Sequence, residues 1–218
     1  MFYLIGGAPR CGKTTVAKEL SQKLGIPWIS TDTLESTIME YVDDSKFESY
    51  FPKSTLRKLT NNSNDEMYTK YTAEEIVDTY ISQGASLAKG IKMFVASEAA
   101  YNHDYILEGH HIHPRLISEL ENQFEIKAIF LGRDDTSKTL AAITQNPKAN
   151  DWVTTKTKDP QTYQPIAEML TTFSTRIKSE ASENNQLYLS MDDDFSETIQ
   201  LIVRKLRRID NFNSSPTG

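Results

Sequence analysis

The sequence predicts an α/β domain built on a five-stranded, mainly parallel sheet, and three observations point there. Short apolar runs alternate with segments of helical period. Two of those runs, 104–108 and 125–131, are apolar almost throughout, as strands covered on both faces are. The 218 residues, 38% hydrophobic and 25% charged, have ordinary globular composition and enough length for one fair-sized core.

The elements follow in order. The first strand, 2–5, leads through a turn into Val16, Ala17, Leu20 and Leu24 at helical spacing, with Gly25 as the residue that ends the helix. The second strand, 27–30, is short and is followed by a helix through Leu34, Ile38 and Val42. Thr72-Ala73-Glu74-Glu75 has the pattern of a capping box, and Val77, Tyr80, Ile81, Leu87, Ala88, Ile91 and Val95 carry a helical stripe toward Tyr101. Gly84 and Gly90 leave room for a break, since each costs about 1 kcal/mol relative to Ala inside a helix. The third strand, 104–108, precedes a helix opened by Pro114 and carried by Leu116, Ile117 and Leu120. After the fourth strand, 125–131, a long amphipathic helix is marked by Tyr163, Ile166, Ala167, Leu170, Phe173 and Ile177. The fifth strand, 186–190, leads to a last helix from Ser196, with Ile199, Ile202, Val203 and Leu206 inside. Arg204, Lys205, Arg207 and Arg208 complement the dipole at its end.

Segments 43–71 and 144–160 are rich in Asn, Asp, Ser, Thr and Lys and carry turn residues throughout, so both are expected as mobile substrate or lid loops. Residues 1–210 then form a single domain and 211–218 a disordered tail.

Charge and cysteine usage exclude whole classes. Lys plus Arg, 24, less Asp plus Glu, 30, gives −6, so no global positive field draws the chain to nucleic acid or to an anionic membrane. A single cysteine, Cys11, forms no disulfide framework and no cysteine-based zinc site. The amino terminus has no basic region ahead of its five apolar residues, and no run approaches the ~18 apolar residues of a membrane span. A soluble cytoplasmic protein, monomer or homodimer, is expected.

Gly7-Ala8-Pro9-Arg10-Cys11-Gly12-Lys13-Thr14 satisfies the pattern G-x-x-x-x-G-K-[ST] between a strand and an amphipathic helix. In that context successive backbone N–H groups form an anion nest at a positive helix end. The loop from Gly7 to Thr15 is therefore expected to hold the phosphates of ATP, with Lys13 on the terminal phosphates and the Thr14 hydroxyl on Mg²⁺. The alternative is a glycine-rich turn with Lys13 solvated. Cys11 reads as a small tolerated side chain, because a thiolate needs an activating partner.

In open α/β sheets ligands bind beyond the carboxyl ends of the strands, which directs attention to Ser30-Thr31-Asp32-Thr33 and to Glu108-Gly109-His110-His111. Asp32 and Glu108 are expected to face the phosphate loop, one orienting or deprotonating an acceptor hydroxyl and the other holding Mg²⁺ through water. Asp32 is the preferred acceptor-side residue; its competing role is a helix N-cap. His110, His111 and His113 invite a metal assignment, which is discounted because adjacent histidines tend to point apart and no zinc spacing accompanies them. Arg115 is placed to grip an acceptor phosphate or carboxylate, or is solvated at a helix start. Arg133 either stabilises the transferring phosphoryl group or pairs with Asp134 or Asp135. Lys148, Lys156 and Lys158 suit segment 144–160 to closing over phosphates, and Trp152 suits it to docking on the body.

Together these residues resemble the small P-loop kinases related to adenylate, shikimate and gluconate kinases, and most of all the 2-phosphoglycerate kinase-like group. The resemblance lies in GGAPRCGKTTVA, IPWISTDTLES and YILEGHHIHPRL and runs from about residue 1 to 131. It implies a three-layer P-loop NTPase fold with a helical substrate or lid insertion, ATP phosphates on Gly7 to Thr15, Mg²⁺ at Thr14, and acceptor recognition near Asp32, Glu108, His110 and Arg115. One departure stands out: such kinases carry several lid arginines, whereas here the stretch after Arg133 has only lysines until Arg176.

The expected function is Mg²⁺-dependent transfer of the ATP γ-phosphoryl group to a small anionic metabolite such as a phosphoglycerate-like acid or a nucleotide. Lys13, Asp32 and Arg133 are the catalytic residues in that account. Two alternatives are a nucleotide-dependent switch protein and a toxin-type kinase acting on a nucleotide-sugar or a nucleic-acid end through Lys53, Arg57 and Lys58.

Overall fold

The computed structural model describes residues 1–145 and 151–208; Lys148 and the 211–218 tail lie outside them. Five strands, β1 (Phe2–Gly7), β2 (Trp28–Ser30), β3 (Tyr105–Glu108), β4 (Ile126–Gly132) and β5 (Tyr188–Ser190), form one sheet in the order β2-β3-β1-β4-β5. Every pairing is parallel. β1 is central, and its side chains are buried along its whole length, which is why the first run reads as continuously apolar.

The connections explain the layers. From β1 the chain passes through α1 (Lys13–Leu24) to β2 at one edge, whereas from β3 it passes through α7 (Pro114–Glu121) back across β1 to β4. Right-handed crossovers taken in opposite directions place their helices on opposite faces. Accordingly α1 packs with α11 (Phe195–Arg208), while α10 (Tyr163–Glu183) packs with α6 (Ala73–Ala100), α7 and α8 (Thr136–Gln145). Leu4, Ile5, Ile106, Leu107, Ile129 and Phe130 fill the interior between the two layers.

α6 is one unbroken helix of 28 residues, capped by the Thr72–Glu75 box. The break allowed for at Gly84 and Gly90 does not occur, because each glycine makes room for a neighbour. A Cβ at Gly84 would overlap the His113 ring, and one at Gly90 would overlap the Ile38 side chain.

The two segments expected as mobile substrate or lid loops are largely helical, as the resemblance implied for the insertion. Segment 43–71 forms α3 (Asp44–Tyr50), α4 (Pro52–Leu59) and α5 (Asn64–Lys70), and Trp152–Thr155 forms the single turn α9. Leu56, Met67 and Val153 are buried within α4, α5 and α9, and Phe51 is buried at the joint of α3 and α4, so the anchors are single residues that show no period in sequence. The two segments also hold each other. Asn64, fully buried, donates to the Trp152 carbonyl at 3.0 Å and to Thr157 Oγ1 at 2.8 Å. Asp65 accepts from the Lys158 N–H at 3.0 Å and from Thr162 Oγ1 at 2.7 Å. No described helix is long and apolar enough to cross a membrane.

Candidate functional site

A cleft of about 1040 Å³ opens beyond the carboxyl ends of β1, β2 and β3, where strand order reverses around β1. Its floor is the turn from β1 into α1. Gly7 (φ +115°) and Gly12 (φ +81°) carry the reversal, and a Cβ on Gly7 would overlap the Leu131 carbonyl of β4. Arg10 is the loop residue other than glycine that is held at positive φ, 61°. Cys11 is buried and its thiol donates to the Pro9 carbonyl at 3.6 Å; burial pushes its pKa up to about 11, so the group stays protonated and unreactive at neutral pH. Lys13 donates to the Ala8 carbonyl at 2.6 Å, which leaves two hydrogens of its ammonium for the cleft.

Glu108 closes β3, and the register Ile5↔Glu108 sets it beside the loop. Thr14 Oγ1 donates to Glu108 Oε1 at 3.1 Å. Burial raises the Glu108 pKa, and it outweighs the lowering pull of Lys13 and of hydrogen bonds from Ser30 and Thr14. A hydroxyl and a carboxylate so placed are the hard oxygen ligands that Mg²⁺ takes. The sequence left Glu108 two roles, acceptor recognition and holding Mg²⁺ through water; the structure sets it against the Thr14 and Ser30 hydroxyls.

Asp32 lines the same cleft, close enough for its charge to add to the raising of the Glu108 pKa. It does not cap α2 (Thr31–Met39): Ser30 is the cap, its Oγ accepting from the Asp32 N–H at 3.3 Å. The Asp32 carboxylate, 64% exposed, is therefore free to meet a ligand, with His110 Nδ1 at 3.5 Å and His111 Nδ1 at 3.8 Å. The two histidines do not point apart as expected. Their rings lie 3.8 Å apart, His111 Nδ1 is 2.9 Å from Thr31 Oγ1, and Asp32, His110 and His111 are grouped closely enough to share an ion. Burial first, then neighbouring positive charge, drives both imidazoles well below their ordinary pKa, so they are neutral at pH 7.

Behind Asp32 lies a network that sequence reasoning missed. Glu35, about one turn further along α2 and largely buried, pairs with Lys53 Nζ at 3.0 Å and accepts from Gln83 of α6. Lys53 lies 3.4 Å from His110 Nε2 and 5.5 Å above the Tyr80 ring. Glu35, Lys53 and Tyr80 all line the cleft. The one signal in the sequence was the position of Glu35 itself, a charge set beside the apolar stripe of Leu34 and Ile38 where α2 turns inward.

The arginines separate. Arg133 lines the cleft and pairs with Asp192 at 3.6 Å rather than with Asp134 or Asp135; Asp134 is taken by Lys178 and Tyr188. Arg115 does not line the cleft. Its side chain is 89% exposed and pairs along α7 with Glu119 at 3.8 Å, because Leu116, Ile117 and Leu120 claim the inward face. Arg10 meets Asp151, the cap of α9, at 2.7 Å, with both side chains largely buried. Burial lowers the Arg10 pKa against the raising pull of Asp151, and nearby Arg133 adds to the lowering. Arg57, Trp152 and Lys156 complete the outer wall.

No family model matches the chain, and no curated protein matches it. Solved structures do. A gluconokinase from Sinorhizobium meliloti 1021 superposes with a TM-score of 0.52 at 13% identity, covering 98% of this chain and 97% of its own. A dephospho-CoA kinase from Campylobacter jejuni gives 0.51 at 15% identity, covering 97% and 98%. The fold is thus that of P-loop kinases, a parallel five-stranded sheet enclosed by helices.

Proposed function

We propose that the protein is a kinase that transfers the γ-phosphoryl group of Mg·ATP to a hydroxyl of a small anionic metabolite. One observation carries this: Lys13, the Thr14–Glu108 pair and Asp32 converge on a single cleft at the switch point of a kinase-type sheet. The resemblance to the 2-phosphoglycerate kinase-like group in three separate motifs supports the same conclusion. Backbone N–H groups of residues 10–14 and the Lys13 ammonium bind the phosphates, since Pro9 has no N–H and the Ala8 N–H is donated to the Leu131 carbonyl at 3.0 Å. Thr14 and Glu108 fit Mg²⁺, which when bound neutralises charge on the phosphates.

Asp32 takes the proton of the acceptor hydroxyl as its oxygen bonds to the γ-phosphorus and the bond to the β–γ bridging oxygen breaks, releasing ADP. Arg133 and Arg10 line the same cleft, each held by a carboxylate, Asp192 at 3.6 Å and Asp151 at 2.7 Å, and they turn their remaining N–H groups to the transferring group when ATP is bound. The missing lid arginines are thereby replaced from other places in the chain: Arg10 belongs to the phosphate loop itself.

The test is ADP release from Mg·ATP across phosphoglycerates, sugar acids, nucleoside monophosphates and nucleotide-sugars. One acceptor is expected to raise turnover far above background, and Lys13→Ala to lower it by roughly 100-fold or more with the melting temperature little changed. Equal turnover in Lys13→Ala would refute the mechanism. ATP binding with no stimulating acceptor would make a nucleotide-dependent switch the better account.

A further inference from the structure

The cations of the cleft are not equivalent. Six line it: Arg10, Lys13, Lys53, Arg57, Arg133 and Lys156. Three have a carboxylate close by, Arg10 with Asp151 at 2.7 Å, Lys53 with Glu35 at 3.0 Å and Arg133 with Asp192 at 3.6 Å. Lys13 belongs to the phosphate loop. That leaves Arg57 and Lys156, and among the described residues neither has a carboxylate within ion-pair distance.

Both are instead held by neutral amides. Arg57 donates to Asn64 Oδ1 at 2.6 Å and lies 4.9 Å over the Trp152 ring, while Lys156 Nζ donates to Asn62 Oδ1 at 3.1 Å. An asparagine oxygen orients a cation without neutralising it. The two are close enough for Arg57, after burial, to lower the Lys156 pKa. Keeping two like charges together at a partly desolvated wall is unfavourable unless an anion joins them. Asn62 and Asn64 come from the α4–α5 turn and the start of α5, Lys156 from the end of α9, so the pair exists only because the two insertions are docked.

We propose that Arg57 and Lys156 form a second anion subsite, which takes the phosphomonoester end of the phosphoryl acceptor. The subsite stands on its own geometry; its assignment to the acceptor rests on the kinase function proposed above. A phosphomonoester carries about −1.5 to −2 charges at neutral pH and three acceptor oxygens, which matches one guanidinium fork plus one ammonium. A carboxylate has two oxygens and one charge, and the guanidinium alone would satisfy it. The acceptor is then a hydroxyl-bearing phosphate ester, its hydroxyl toward Asp32 and its phosphate toward Trp152.

Inorganic phosphate is the probe, titrated calorimetrically into the Lys13→Ala protein so that the phosphate-loop ammonium does not contribute. Saturable binding is expected, weakened at least tenfold by Arg57→Met and by Lys156→Met, and less by Arg57→Lys, which retains the charge and the stem over Trp152. Acetate should bind far more weakly. Phosphate binding that ignores all three substitutions would overturn the subsite, and acetate binding as tight as phosphate would overturn the ligand class. In the otherwise wild-type protein, Arg57→Met should raise KM for a phosphorylated acceptor while sparing KM for ATP. Phosphate bound through Arg57 and Lys156 in a protein that phosphorylates nothing would keep the subsite and refute the kinase function. Turnover of an unphosphorylated acid that Arg57→Met leaves unchanged would do the reverse.

Discussion

His113 is buried under Gly84 and beside Phe173, and neither of its ring nitrogens has a hydrogen-bond partner among the described residues. Burial pushes its pKa down to about 4, from an ordinary 6.5. The folded protein therefore takes up this proton only below about pH 4, whereas the unfolded chain takes it near 6.5, so stability is full above 6.5 and falls as pH drops between them. The loss for His113 alone amounts to about 3 kcal/mol, at about 1.4 kcal/mol for each pH unit, and His110 and His111 are depressed in the same direction. Urea midpoints should hold level above about pH 6.5 and fall steadily from there to about 4, and His113→Leu should flatten part of that fall; an unchanged slope would mean that His113 does not carry it. The same scale shows what a sequence discloses about a site. Lys13 and Thr14 are legible because eight consecutive residues make their whole environment. Glu35 is not, because its partners Lys53 and Gln83 lie 18 and 48 residues away and only the packing of α2 on α6 brings them together. Asp32 was legible by position, and its freedom from capping followed from a neighbour, Ser30, that was just as visible.

Strands and long helices were legible to within a few residues, since burial on both faces writes itself as continuous apolar runs and amphipathic packing as a 3.6-residue period. α3, α4, α5 and α9 were not, because four to eight residues with one or two buried anchors carry no period. What holds these short elements is mutual, and Asn64 is its centre: it accepts from Arg57 and donates to the Trp152 carbonyl and Thr157. Asn64→Ala removes those bonds and strands buried partners, at a cost of about 2 kcal/mol. Trp152, with its Arg57 contact loosened, should shift its emission to longer wavelength, and urea denaturation should report the lost stability. Because Lys13, Thr14 and Glu108 are untouched, affinity for ATP should survive while KM for the acceptor rises. An Asn64→Ala protein with native emission and native acceptor KM would show that α5 and α9 are held together by something else. The contact between Arg10 and Asp151 belongs to the same element, since Asp151 caps α9 through the Val153 N–H at 3.0 Å. Asp151→Asn should therefore lower kcat by roughly tenfold, through a misplaced Arg10, more than it alters KM for ATP.

Across the whole molecule the charge is divided. The chain carries −6, yet its cleft is lined by six cations and four carboxylates, Asp32, Glu35, Glu108 and Asp151, for 6 − 4 = +2 with His110 neutral. The remainder of the molecule then holds −6 − 2 = −8, an acidic body around a basic interior. A small anion entering the cleft meets a lining that is positive on balance, whereas a polymer must also lie along the acidic surface. Composition made the acidic balance legible, and the local reversal was hidden because Arg10, Arg57, Arg133 and Lys156 are scattered over 147 positions of sequence, from 10 to 156. The division separates metabolite phosphorylation from action on a nucleic-acid end. A labelled single-stranded oligonucleotide should show no anisotropy change at micromolar protein in about 150 mM salt. Over the range from about 50 to about 300 mM salt, affinity for Mg·ATP should decline gently, because the few charges involved are partly buried and weakly screened. Steep, salt-sensitive oligonucleotide binding that Lys53→Ala and Lys58→Ala abolish would reverse the conclusion and make the outer wall of the cleft a groove for a strand end.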